Sequence, residues 1–189
     1  MKTAPIVAAR IEGSSEGLPF AAAFGDVYHP RAGALEQARH VFLGGNGLPQ
    51  RWRGRERFVI AETGFGLGNN FLAAWRAWRD DPERSERLDV LSVELHPPSA
   101  DKLCAWPRDP AVAELADALQ AQWPPLTHDL HQLQFDDGRV TLHLAFGDAA
   151  RWLPEWVATV DAFFLDGFAP DRNPAMWDAR LFRSLARLA

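Results

Sequence analysis

Cysteine is nearly absent from this chain: Cys104 is the one thiol in 189 residues. No internal disulfide can form, and a reducing, cytoplasmic setting is the expectation. Long apolar runs are missing as well. Nothing approaches the roughly 20 residues that a membrane-spanning helix needs, and Met1-Lys-Thr-Ala-Pro5 lacks the apolar centre of a secretory leader. Neither a nucleophile elbow nor a phosphate-loop lysine motif is read, which weakens hydrolase and NTPase assignments. His128, His131 and His143 come with no cysteine pair or acidic helix motif, so no metal is expected. Positive charge is not in excess: the formal net charge is −5. That disfavours indiscriminate nucleic-acid binding and leaves Arg51-Trp-Arg-Gly-Arg-Glu-Arg57 as the candidate patch for phosphates. A solvated connector is the competing reading of that patch.

What is present suits one α/β domain of ordinary size. Apolar residues make up 47% of the chain, enough for a sizeable core, and some of the eight Trp and twelve Phe are expected on a base-binding surface. The run Phe58-Val-Ile-Ala-Glu-Thr-Gly-Phe-Gly-Leu-Gly-Asn-Asn-Phe71 reads as strand, glycine loop and helix start. Gly64, Gly66 and Gly68 lack the Cβ atoms that would keep backbone from ligand, and the helix start presents free N–H groups. The spacing is G-x-G-x-G rather than the dinucleotide G-x-G-x-x-G, and a carboxylate at Glu62 would repel a pyrophosphate. A cationic ligand fits better, and S-adenosylmethionine is the expected cofactor.

Three further apolar runs end in acidic residues: Leu88–Val93 at Glu94, Arg139–Phe146 through Gly147 at Asp148, and Val160–Leu165 at Asp166. In a doubly wound sheet such strand ends converge on one crevice. Glu94 is placed to accept both ribose hydroxyls and Asp148 to accept from the adenine amino group. Helix capping is the alternative for each residue taken alone.

These residues resemble the methyltransferase domain of the bifunctional tRNA 5-methylaminomethyl-2-thiouridine biosynthesis (MnmC) family. The matching segments are Val41-Phe-Leu-Gly-Gly-Asn46, Glu62-Thr-Gly-Phe-Gly66 and Phe164-Leu-Asp-Gly-Phe-Ala-Pro170, continuing to Asn173-Pro174 and Met176-Trp177. Asp26-Val-Tyr28 and Phe146-Gly-Asp148 match more weakly. The chain departs from the family at Leu67-Gly68-Asn69-Asn70-Phe71, where a Thr hydroxyl is lost and Asn69 or Asn70 is its substitute. It departs again at Leu95-His96-Pro97 and Asp171-Arg172. The resemblance implies a Rossmann-like fold and methyl transfer from S-adenosylmethionine to the exocyclic amine of a 5-aminomethyl uridine at the tRNA wobble position. It also implies a flavin-dependent oxidase domain or protein as partner.

On that reading the cofactor contacts are Glu62, Gly64, Phe65, Gly66, Gly68, Asn70, Glu94, Asp148 and Asp166. Asp166 is also the catalytic candidate: it orients the amine and accepts its proton while Phe168 packs on the uracil. Tyr28, Pro170 and Trp177 join Phe168 as substrate-side candidates. An aminopropyltransferase of the polyamine type and a non-catalytic remnant binding tRNA or a partner are the alternative functions.

The expected organisation is a β-rich extension at 1–57 and a Rossmann-like core at 58–189 that lacks its C-terminal strands. Within the extension, Ala4–Ile11 and His40–Leu43 read as strands, with a short helix at Leu35–Arg39. Further helices are expected at Asn70–Arg79, Ser99–Ala105, Ala111–Gln122, Ala149–Trp156 (interrupted by Pro154) and Ala175–Leu188. Asp136-Asp137-Gly138 reads as a hairpin turn. An open edge beside apolar Leu181, Phe182 and Leu185 is expected to favour association.

Overall fold

The computed structural model describes residues 5–30 and 33–189. Among these, eight strands form two sheets. Strands β1 (Ile11–Gly13), β2 (Pro19–Ala21) and β3 (Asp26–Val27) make a small antiparallel sheet. Strands β4 (Arg57–Thr63), β5 (Arg87–Glu94), β6 (Leu130–Phe135), β7 (Val140–Phe146) and β8 (Ala162–Leu165) form the main sheet, in the order β6-β7-β5-β4-β8. All its neighbours are parallel except the β6–β7 hairpin. That hairpin turns at Asp136 and Asp137, both with positive φ, and Gly138.

Alternation along β4 divides the core. Phe58 and Ile60 face one apolar layer with helices α2 (Asn69–Asp80), α3 (Ala100–Leu103) and α4 (Ala113–Ala121), while Val59 and Ala61 face another with α5 (Ala149–Glu155) and α6 (Ala179–Ala186). Helices on both faces of a mostly parallel sheet give the Rossmann-like α/β arrangement. Phe71, Trp75 and Trp78 lie on one buried face of α2, and the Trp75 ring packs 4.4 Å from that of Phe135.

The first 57 residues differ from expectation. Met1–Ala4 lie outside the described residues, Pro5–Arg10 carry no regular structure, and pairing begins at Ile11. Val7 is exposed, and Ala9 N–H donates to the Pro97 carbonyl rather than to a strand. His40–Leu43 is helical: α1 (Ala34–Gln37) runs into a π-helical stretch, Ala38–Leu43, that buries Ala38, Phe42 and Leu43. A short apolar run satisfies either period, and here helical burial wins. Gly13-Ser-Ser-Glu-Gly17 does spell G-x-S-x-G, but it is the β1–β2 turn, with Ser14 Oγ accepting from Leu18 N–H. No strand-to-helix elbow exists there.

Three later details also shift. Pro154 sits in the last turn of α5 without breaking it. The final helix starts at Ala179, after Asp178 accepts from Arg180 N–H as its cap, with a 3₁₀ turn at Pro174–Trp177 before it. Leu181 and Leu185 are buried against the sheet; only Phe182 is exposed.

The arginine-rich connector is a structural splice. Trp52 is fully buried, its Nε1 donating to Asp81 Oδ2 at 3.0 Å. Arg53 pairs with Asp81 and Glu83, Arg55 with Asp161, and Arg57 with Asp89. These contacts lie at the amino end of β4. A seven-residue strand places the glycine loop about 20 Å away.

Candidate active site

Four strand ends meet at the carboxyl edge of the main sheet. Beyond β4, Gly64 adopts φ +83°, and a Cβ there would lie 2.6 Å from the Asp166 carbonyl oxygen. Only glycine allows this approach, so the loop after β4 and the loop after β8 are packed backbone to backbone. Gly66 N–H donates to Glu94 Oε2 and His96 N–H to Glu94 Oε1, both at 2.8 Å. Gly147 N–H donates to the Glu94 carbonyl at 2.8 Å, which ties the ends of β5 and β7 together.

A cavity of about 310 Å³ opens over this junction. Asn70, Glu94 and Asp166 line its sheet side; Phe24, Tyr28 and Phe168 line the other. The Phe24 and Phe168 rings stack at 4.5 Å, and Tyr28 meets Phe168 edge-on at 5.4 Å. Asp166 accepts from Asn70 Nδ2 at 2.6 Å and from Gly167 N–H at 2.9 Å. Burial pushes its carboxyl up to about 6 against both bonds. Burial also raises Glu94, opposed by its two backbone donors, and raises Tyr28, with the Glu94 charge adding to it.

Glu62 stands behind this wall. It is wholly buried, accepts from Ser92 Oγ at 2.7 Å, and its Oε1 has no partner. Burial pushes it up to about 8, so near neutral pH it holds its proton in most molecules. Glu62 itself does not line the cavity; Asp166 and Glu94 do.

Asp148 lines an adjoining cavity of about 220 Å³ that shares Gly64, Glu94 and Phe168 with the first. Its Oδ1 caps α5 by accepting from Ala150 N–H at 2.8 Å, so the capping alternative holds for that oxygen. The Phe65 ring is turned into the core against Trp123, and Gly68 sits at the α2 start with φ +75°, where a Cβ would strike Phe65 at 2.9 Å. These two shape the loop. Pro170 is exposed and lines neither cavity. Trp177 lines neither as well, but its Nε1 donates to the Phe168 carbonyl at 3.0 Å and so steadies that loop.

Sequence reasoning missed Phe24, Asp26, His29 and His96, all on the cavity wall. Asp26 Oδ2 accepts from Ala169 N–H at 3.2 Å, which joins the small sheet to the loop after β8. No local signal marks these residues, because their contacts are made across the whole chain. No group of three or more metal-ligating side chains was found among the described residues.

Residues 110–189 match a family of S-adenosyl-L-methionine-dependent methyltransferases. Along its full length the chain is 59% identical to the tRNA 5-methylaminomethyl-2-thiouridine biosynthesis bifunctional protein MnmC of Methylibium petroleiphilum, covering 29% of that protein. It is 57% identical over 98% of its length to the protein of the same name from an Azoarcus species, again covering 29%. The chain thus spans under a third of the relatives it matches. The crystal structure titled MNMC2 from Aquifex aeolicus superposes with a TM-score of 0.72 over 96% of this chain and 56% of that one. At 21% identity it speaks to the fold alone. The match to a methyltransferase family disfavours the aminopropyltransferase alternative. Taken together, the S-adenosylmethionine-dependent family and the full-length similarity match this chain to the methyltransferase domain of the MnmC family.

Proposed function

We propose that this chain transfers a methyl group from S-adenosylmethionine to the exocyclic amine of 5-aminomethyl uridine at the wobble position of tRNA. The observation that carries the reading is Asp166, fixed by Asn70 and Gly167, at the floor of a cavity walled by Phe24, Tyr28 and Phe168. The tRNA substrate and the second activity follow from the relatives' name. A flavin-dependent oxidase is the partner the family resemblance supplies, and the cytoplasm is the compartment.

The donor groups fit the cofactor. Each Glu94 oxygen spends one lone pair on a backbone N–H and keeps another for a ribose hydroxyl. Asp148 Oδ2 is left for an adenine amino group after Oδ1 caps α5. Gly64 and Gly66 line the cavity beside Asn70, where a methionine-like tail would lie. When bound, S-adenosylmethionine supplies an electrophilic methyl group on a sulfonium.

The protein's part is to hold a neutral amine in line and keep water out. Asp166 accepts an N–H of the amine, which turns the nitrogen lone pair towards the methyl donor. Asp166 would take the proton that the amine loses on accepting the methyl group, whose bond to the sulfonium sulfur breaks as the N–C bond forms and leaves a neutral thioether. With a pKa near 6, Asp166 is ionised at pH 7 to 8 and ready to accept; below pH 6 it turns donor and releases the amine. Phe168, braced by Phe24 and Tyr28, stacks on the uracil. In this reading residues 1–57 are an extension that completes the substrate wall of a core at 58–189.

Incubation with S-adenosylmethionine and an anticodon stem-loop carrying 5-aminomethyl-2-thiouridine tests the assignment. Mass spectrometry is expected to find one added methyl group on that nucleoside. Calorimetry with the cofactor alone separates the remaining alternative. A folded protein that takes up no S-adenosylmethionine is a remnant, not an enzyme.

A further inference from the structure

Next to the proposed site, and sharing His29, Ala34, Leu67 and Asn69 with it, lies another concavity of about 410 Å³. Two arginines line it. Among the described residues, Arg39 has neither a carboxylate nor a hydrogen-bond partner for its guanidinium. Arg108 is half-buried and bonded to neutral acceptors only: Asn69 Oδ1 at 2.5 Å, and the Leu67 and Leu103 carbonyls at 2.8 Å. Its Nε and the neighbouring Trp106 Nε1 are buried donors without partners. Burial lowers the Arg108 pKa, yet a guanidinium keeps its charge in proteins. Buried charges are normally paired, so a cation left with neutral acceptors beside an open cavity calls for an anion.

The same wall carries Glu36 and Asp109, and Asp109 Oδ1 already accepts from Ala111 N–H. Neither carboxylate pairs with Arg39 or Arg108 among the described residues. Their presence excludes a groove that is cationic throughout and favours one anion held at one place. Meanwhile the arginines at 51, 53, 55 and 57 are spent on carboxylates and carbonyls at the opposite end of the sheet. Phosphate recognition near the site must come from elsewhere.

We infer that this concavity is a phosphodiester subsite: it takes the backbone phosphate next to the nucleotide whose base enters the first cavity. Arg39 and Arg108 supply the charge, and the shared edge at Leu67 and Asn69 sets the spacing between base and phosphate. The inference rests on the tRNA reading above. It gives the protein a second, sequence-independent hold on its substrate.

The test measures binding of the aminomethylated stem-loop across a salt series for the protein and for Arg39→Ala, with S-adenosylmethionine calorimetry alongside. Arg39 touches neither the glycine loop nor the acidic cluster, so cofactor affinity is expected to stay the same. Stem-loop affinity at low salt should fall about tenfold, as for loss of a charge-assisted hydrogen bond. The slope of log affinity against log salt should drop by about 0.7, the value for one phosphate on a single strand. A stem-loop with uncharged methylphosphonates flanking the wobble position should bind the unaltered protein at least as weakly as the variant binds the normal one, and the variant, which keeps Arg108, should lose less than the unaltered protein does. Arg108→Gln should repeat the RNA result. Equal affinity and slope for Arg39→Ala, or indifference of the unaltered protein to the methylphosphonates, overturns the subsite. If the unaltered protein binds cofactor but no stem-loop, the tRNA reading itself fails and the subsite goes with it.

Discussion

The two ends of the main sheet use the same residue types for opposite purposes. At the amino end Asp81, Asp89 and Asp161 each have an arginine beside them. Burial pushes Asp89 up, but His143 and Arg57 outweigh it and hold the carboxyl below its usual range. Asp81 is treated the same way by Trp52 and Arg53. At the carboxyl end Glu62, Glu94 and Asp166 are buried close together with only amide, hydroxyl and backbone donors, and all three are raised. Neutralised charge serves folding there; here Glu62 stays behind the wall, and Glu94 and Asp166 face the cavity with no cation paired to them.

The largest effect expected from breaking that contrast is at Asp166. Asp166→Asn removes the acceptor while keeping the shape, and turnover on aminomethylated tRNA should fall by a factor of about 100 or more. S-adenosylmethionine affinity by calorimetry should fall far less than turnover does. At the other end, Trp52→Ala empties a fully buried site and should cost about 3–5 kcal/mol of stability in a denaturant titration. Under conditions where the variant is folded, its KM and kcat should match those of the unaltered protein.

Glu62 sharpens the comparison through pH. Its folded pKa of about 8 lies above the unfolded value, so the folded state binds the extra proton, and stability is lost as pH rises from about 4.5 to about 8. Between pH 5 and pH 9 the loss from this group is on the order of 3 kcal/mol. Glu62→Gln should flatten the midpoint-against-pH curve over that window. An unchanged curve would show that Glu62 titrates normally. The smallest effect belongs to Arg55→Ala, which breaks a half-exposed pair with Asp161 at 2.6 Å. It should cost less than about 1 kcal/mol and leave tRNA affinity untouched.

Much of this contrast was legible in the sequence at one end and not at the other. The strand ends at Glu94, Asp148 and Asp166 were readable because each terminates a local apolar run. The hairpin at Asp136-Asp137-Gly138 was readable because its chemistry is local too. The arginine connector misled because its partners, Asp81, Asp89 and Asp161, are far away along the chain, beyond any periodicity. His40–Leu43 misled for another reason: four residues cannot distinguish a strand from one helical turn. The wall of Phe24, Asp26 and Tyr28 depends on how a three-stranded sheet docks on the loop after β8. That docking is set by the Phe24–Phe168 stack and the Asp26–Ala169 bond, between residues more than a hundred positions apart.

The bare glycine at position 64 reaches beyond its own turn. Because the chain there rests directly on the carbonyl of Asp166, the glycine loop and the loop after β8 cannot drift apart independently. A methyl group at that α-carbon would therefore pry open both at once, and cofactor and RNA affinity should decline in step.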